Sequence, residues 1–141
     1  MSGLTRYINE VRPKKSLGQN FLVNPRILDK IVEAAEITKE DTVLEVGPGT
    51  GNLTEKLAEK ARKVIAVEKD HRLIYQLKEK LKDIKNIEII EADILEFSIL
   101  PTPPKQLRLR RPGNFQFSKN NYKIVGNIPY YITSHLLRTI F

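Results

Sequence analysis

Two short runs stand out by residue type and spacing. Glu45-Val46-Gly47-Pro48-Gly49-Thr50-Gly51 places three glycines at alternate positions directly after an apolar run. Glycine permits a tight reversal and lets a ligand approach main-chain atoms with no Cβ in the way. Asn127-Ile128-Pro129-Tyr130 puts an amide, a rigid imide and a phenol ring on neighbouring residues. The first run suits the capture of a small molecule, and the second suits chemistry on a planar ring.

The glycine run narrows its own ligand. A dinucleotide fingerprint G-x-G-x-x-G requires glycine where Asn52 stands, because Gly51 comes one residue early. A phosphate loop requires Gly-Lys-Ser/Thr, whereas Gly51 is followed by Asn52-Leu53. Glu45 beside the loop favours a cationic or neutral ligand over a pyrophosphate. S-adenosylmethionine meets these conditions: it carries a sulfonium, an amino group and a ribose diol, and no phosphate. Glu68, 17 residues beyond Gly51, is placed to accept hydrogen bonds from the ribose diol, as an acidic residue does in dinucleotide folds. Asp93 is placed to read an adenine amine. The expected cofactor residues are therefore Glu45, Gly47, Gly49, Gly51, Glu68 and Asp93.

The second run suits methyl transfer to an aryl amine. Such an amine is a poor nucleophile because its lone pair is delocalised into the ring. Acceptors aimed at its hydrogens, such as the Asn127 side-chain carbonyl and the Ile128 backbone carbonyl, favour a more pyramidal nitrogen. That nitrogen can attack a sulfonium methyl in line. Pro129 fixes φ and lacks an N–H, which stiffens the loop. Tyr130 can stack on a purine extruded from its helix.

Alternating strands and helices must position these runs. Asn24-Pro25 reads as an N-cap with proline at the first helical position, ahead of a stripe through Ile27, Leu28, Ile31, Val32 and Ala35. Strands are expected at 42–46, 63–67, 87–90 and 122–126, with helices after Gly51, after Asp70 and from Thr133 or Ser134. Such βαβα units imply a parallel sheet with helices on both faces. Right-handed crossovers spread the first three strands one way, and the fourth returns beside the first, giving the order 3-2-1-4. The reversal creates a switch point where the carboxyl ends of the first and fourth strands open a crevice. Both unusual runs sit at those ends.

Composition sets the outer limits. The chain has 141 residues, 24 Lys and Arg against 17 Asp and Glu for a net +7, and 40% hydrophobic residues. That is one domain at most, with enough apolar residues for a core. No apolar run approaches the roughly 18–20 residues of a membrane span, and the start lacks a secretory pattern. Without cysteine there is no disulfide framework, no thiolate zinc site and no cysteine nucleophile. His71 and His135 have no partner at ligand spacing, so no metal is expected. A cytoplasmic protein with an anionic partner follows. The charge gathers in a basic arm over residues 1–26 and in a Pro-rich basic stretch, expected as an exposed loop, over about 101–121. Mixed runs such as Lys78-Glu79-Lys80 read as solvated helix faces.

Lys14-Lys15-Ser16-Leu17-Gly18-Gln19-Asn20-Phe21-Leu22, the Glu45–Gly51 loop, Glu68, Ala92-Asp93 and Asn127-Ile128-Pro129-Tyr130 occur in one characteristic order. In this the chain resembles the ribosomal RNA adenine dimethyltransferases over nearly its whole length, and their small-subunit branch most. The related macrolide-resistance enzymes of large-subunit RNA share most of the motifs. The resemblance implies a Rossmann-like methyltransferase fold that uses S-adenosylmethionine to dimethylate exocyclic amines of adenines in small-subunit, 16S-type ribosomal RNA. It puts Asn20 and Leu22 on the methionine side of the cofactor, with Gly47 and its loop at the methionyl part. Asn127 serves both cofactor and target amine, and Phe21 leans on the target site. Two departures stand out. The link between the third and fourth strands is longer than the family's. The family's chain also runs past Phe141, into further strands and a helical C-terminal domain. On this reading residues 27–141 form a truncated or split methyltransferase domain, with an open edge on the fourth strand and a second polypeptide as the partner that would complete it. The rival readings are a non-catalytic RNA-binding or ribosome-assembly module, a large-subunit rRNA methyltransferase, and a nucleotide-cofactor oxidoreductase.

Overall fold

The computed structural model describes residues 21–96, 99–102, 106–111, 113–118, 122–128, 133–134 and 138. Helix α1 (Pro25–Ala34) starts where the sequence places its cap: Asn24 Oδ1 accepts from the Arg26 N–H at 3.0 Å. Strand β1 (Thr42–Val46) is buried along its length. The glycine loop leads into α2 (Asn52–Lys60), then β2 (Lys63–Glu68). Helix α3 (His71–Leu81) is capped by Asp70, whose carboxylate accepts from the Arg72 N–H at 3.1 Å. Strand β3 (Ile87–Glu91) and a 3-10 turn (Ile94–Glu96) follow. Strands β4 (Ile99–Thr102), β5 (Gln106–Arg111), β6 (Gly113–Ser118) and β7 (Tyr122–Gly126) come last. Thr133, Ser134 and Arg138 are helical, and the rest of the helix expected there lies outside the described residues.

Strands β3-β2-β1-β7 form a parallel sheet in that order. With β7 as the expected fourth strand, this is the order 3-2-1-4, and the switch point lies between β1 and β7. Alternation along the strands divides the core into two faces. Val43, Val64 and Val125 meet Leu28 and Val32 of α1 and Leu53, Leu57 and Ala58 of α2, while Leu73, Leu77 and Leu81 of α3 meet Ile87 and Ile89. Fully burying a side chain such as Leu57 contributes about 1.5–3 kcal/mol, so this layered packing is what holds β1 at the centre.

All three of these helices therefore lie on one face, and the helix expected after β7 lies mostly outside the described residues. The reason is handedness: two successive right-handed crossovers progressing in the same direction put their helices on the same side. The opposite face, with Leu44, Val46, Ile65, Val67 and Ile90, is packed by Ile94 together with Ala92, Leu95 and Ile128.

The stretch expected as an exposed basic loop is a correction. It carries an antiparallel sheet in the order β4-β5-β6, with Leu107 opposite Phe117 and Leu109 opposite Phe115. Leu107-Arg108-Leu109-Arg110 and Phe115-Gln116-Phe117 alternate with the period of a strand, a signal hidden by counting the arginines as a charge run. Pro101 falls in β4, an edge strand, where a missing N–H is tolerated.

Among the described residues no helix is long and apolar enough to cross a membrane, and no group of three His, Cys, Asp or Glu could hold a metal ion.

Candidate active site

The register of the central sheet brings the two unusual runs together. Val46 of β1 pairs with Gly126 of β7, so Gly47 and Asn127 leave the ends of adjacent strands side by side. On the other flank Val46 pairs with Val67, and the Gly47 N–H donates to the Val67 carbonyl at 2.9 Å. Glu68 pairs with Glu91, which carries the ladder on toward Asp93. Glu45, the glycine loop, Glu68, Asp93, Asn127 and Ile128 thus share the carboxyl edge of one sheet.

Gly47, Gly49 and Gly51 all adopt left-handed backbone, with φ of 67°, 58° and 82°. A Cβ built on Gly47 would meet nothing within 4 Å, so the first turn of the loop faces open space. Phe21 lies beside the loop, its ring 3.3 Å from where a Gly49 Cβ would stand, and packs with Leu73, Leu77 and Leu81. The Leu22 carbonyl accepts from Asn52 Nδ2 at 3.2 Å, which ties that segment to the start of α2. Asn20, Pro129 and Tyr130 lie outside the described residues.

The acidic residues differ in character. Glu45 is 1% exposed, between Ala66 and Val125 in the register. Burial pushes its carboxyl up to about 8, and the nearby Glu68 charge adds to the rise. Glu45 Oε2 and Thr54 Oγ1 are both buried without a hydrogen-bond partner among the described residues. Glu68 is also buried and its carboxyl is raised, chiefly by burial. Two main-chain donors oppose that rise: the Asp70 N–H at 2.8 Å to Oε1 and the Gly49 N–H at 3.2 Å to Oε2. Asp93 accepts from the Leu95 N–H at 3.0 Å and pairs with Lys69 at 2.5 Å. Asn127 is exposed and Ile128 half-buried.

Lys80 is a positioning residue that the sequence conceals. Its Nζ donates to the Thr50 carbonyl at 3.0 Å and to Asn52 Oδ1 at 2.7 Å, and sits 3.2 Å from Glu55 Oε2. The solvated-face reading of Lys78-Glu79-Lys80 is corrected accordingly, because Lys80 fastens the far end of the glycine loop to α3. Nothing local marks a partner 28–30 residues away in the chain. Lys80→Met is expected to lower stability by about 1–2 kcal/mol, because a partly buried carbonyl and amide oxygen lose their donor. The urea midpoint reads this loss, which would be absent if water served those oxygens equally well.

The sequence model of a family described as ribosomal RNA adenine dimethylase matches residues 11–141. The chain belongs to that family. Among its relatives, the ribosomal RNA small subunit methyltransferase A of Latilactobacillus sakei is 48% identical over 124 residues, 88% of this chain and 39% of the relative. The protein of the same name from Caldanaerobacter subterraneus is 43% identical over 90% of this chain and 44% of its own. Similar solved structures include the 23S rRNA methyltransferase ErmE, with TM-score 0.66 and 38% identity over 84% of this chain and 41% of that one. A dimethyladenosine transferase from Plasmodium falciparum gives TM-score 0.62 and 36% identity over 84% and 37%. The chain thus spans about two fifths of the length of the curated relatives it matches.

Proposed function

We propose that this chain forms the donor-binding part of an S-adenosylmethionine-dependent methyltransferase that dimethylates the exocyclic amine of adenines in small-subunit ribosomal RNA. One observation carries the reading: the pairing of Val46 with Gly126 brings Gly47 and Asn127 side by side at the carboxyl ends of β1 and β7, the switch point at which such sheets bind ligands. The residues present fit the donor. Gly47 opens onto unfilled space, and Glu45 Oε2 is a buried acceptor lacking a donor among the described residues, which a ligand N–H would satisfy. Gly47 and its loop would hold the methionyl part with Asn20 and Leu22, Glu68 the ribose diol, and Asp93 the adenine amine.

When bound, the donor supplies a methyl group activated by a sulfonium. The chain's own residues then orient the acceptor. The Asn127 side-chain carbonyl and Ile128 backbone carbonyl accept from the target amine's hydrogens, which localises the nitrogen lone pair toward the methyl. Tyr130 stacks on the extruded base, and Pro129 stiffens the turn between them. The small-subunit assignment is supported by the names of relatives at 43–48% identity.

The test is donor binding by calorimetry together with methyl incorporation into purified small-subunit and large-subunit rRNA. Incorporation confined to small-subunit rRNA supports the proposal, whereas tight NAD binding without donor binding overturns it. Asn127→Ala is expected to cut methyl transfer by roughly tenfold or more with RNA binding retained. A variant that changes nothing would instead favour a non-catalytic RNA-binding module.

A further inference from the structure

Positive charge is not spread evenly over this protein. Residues 1–26 carry a net +4 and residues 101–121 a net +5 with no acid among them, so the remainder of the chain is net −2. The body that bears the crevice is thus mildly acidic, and a polyanion gains little by approaching it alone. The second basic segment is the β4–β5–β6 sheet.

Register sorts this sheet into two unlike faces. Ile99, Leu109 and Phe115 fall at matched positions, as do Pro101, Leu107 and Phe117. These six apolar positions share one face with Arg111 and Gly113 at its end. Arg108 pairs with Gln116 and Leu100, Arg110 with Asn114, and Gln106 with Ser118 and Thr102, so the opposite face carries two arginine positions among three amides and two hydroxyls, with Leu100 its apolar member. Successive same-face positions along a strand stand about 6.7 Å apart, comparable to the step between neighbouring phosphates of one nucleic-acid strand. Guanidinium groups bind phosphate bidentately, and amide side chains donate to phosphate and sugar oxygens.

The sheet is also tethered near the crevice. Strand β4 begins six residues beyond Asp93, a stretch that spans at most about 20 Å even when fully extended.

We propose that the Arg108–Arg110 face of the β4–β5–β6 sheet is an RNA-backbone grip that holds the substrate strand through its phosphates while the crevice acts on a base. This rests on the ribosomal RNA reading above for the identity of the polyanion. Specificity comes from the crevice, and the grip contributes sequence-independent affinity and register.

The test is the double variant Arg108→Gln/Arg110→Gln, measured for binding to a small-subunit rRNA fragment across a salt series. Losing two phosphate contacts is expected to reduce the slope of log affinity against log salt by about 1.4–1.8 and to weaken binding at low salt about tenfold or more, equally for unrelated RNA sequences. Arg108→Lys/Arg110→Lys should retain most of the slope. Donor binding, read separately by calorimetry, should be unchanged. An unchanged salt slope in the glutamine variant overturns the grip, as does tighter capture of anionic lipid vesicles than of RNA by the unaltered chain. Absence of donor binding in the unaltered chain instead fails the methyltransferase reading, and leaves the salt slopes to decide the grip. Should the glutamine variant not fold, amide exchange on the unaltered chain decides: slowing across residues 106–118 on adding RNA supports the proposal, and no slowing overturns it.

Discussion

Alanine at Gly126 is expected to lower stability by about 2–4 kcal/mol, toward the upper end of overpacking effects, and to weaken donor binding with it. The added Cβ would stand 2.6 Å from the Val46 carbonyl oxygen, 3.1 Å from Ile128 Cγ1 and 3.3 Å from Val46 Cβ. The nearest of these atoms is backbone of the central strand, so it cannot swing aside as a side-chain tip can. Relief requires β1 and β7 to part at their carboxyl ends, which moves Asn127 away from Gly47. The stability loss is read from the urea midpoint and the site effect from calorimetric donor titration. A variant with wild-type values in both would show that the strand ends separate at no cost and that the crevice does not depend on their contact.

Glu45→Gln should make the protein more stable, increasingly so as pH rises. In the unfolded chain this carboxyl ionises near 4.5, whereas in the fold it stays protonated to about 8. Between those values the folded state binds the extra proton, so stability falls as pH rises and levels off above about 8. The slope approaches 1.4 kcal/mol per pH unit for one group, and glutamine, shaped alike and uncharged, removes it. Glu68 is raised in the same direction, so a residual slope of the same sign remains in the variant. Urea titrations at pH 5, 6, 7 and 8 would show the gap between variant and parent widening upward. A gap independent of pH would mean that Glu45 is ionised in the fold. The same substitution should weaken the donor complex, because a cationic amino group beside Glu45 would favour the ionised carboxylate, an interaction that glutamine cannot supply. Stability and function are opposed at this position.

Much of the site can be read in the chain because its signals are local. Three glycines at alternate positions after a strand, an acid at the end of the next and an Asn-Ile-Pro-Tyr run require no knowledge of distant contacts. The order β3-β2-β1-β7 then follows from crossover handedness. What escaped the sequence was either non-local or masked by a stronger pattern. Lys80 reaches Thr50 and Asn52 across 28–30 residues, and within its own helix looks like any solvated lysine. Asn52 registers in the sequence only as the residue that breaks a dinucleotide fingerprint, yet its amide spans Leu22 and Lys80. In the β4–β5–β6 sheet the prolines and arginines outweighed a two-residue alternation that was present throughout.

Glu68 accepts from the main chain of two different loops: Gly49, which follows β1, and Asp70, which follows β2. One carboxylate therefore staples the loops after β1 and β2 together before any ligand arrives. Entry then demands no folding of the glycine turn, so little ordering entropy opposes association. On the proposed function, exchange of spent for fresh donor would then proceed at the pace of diffusion and desolvation and not of loop closure.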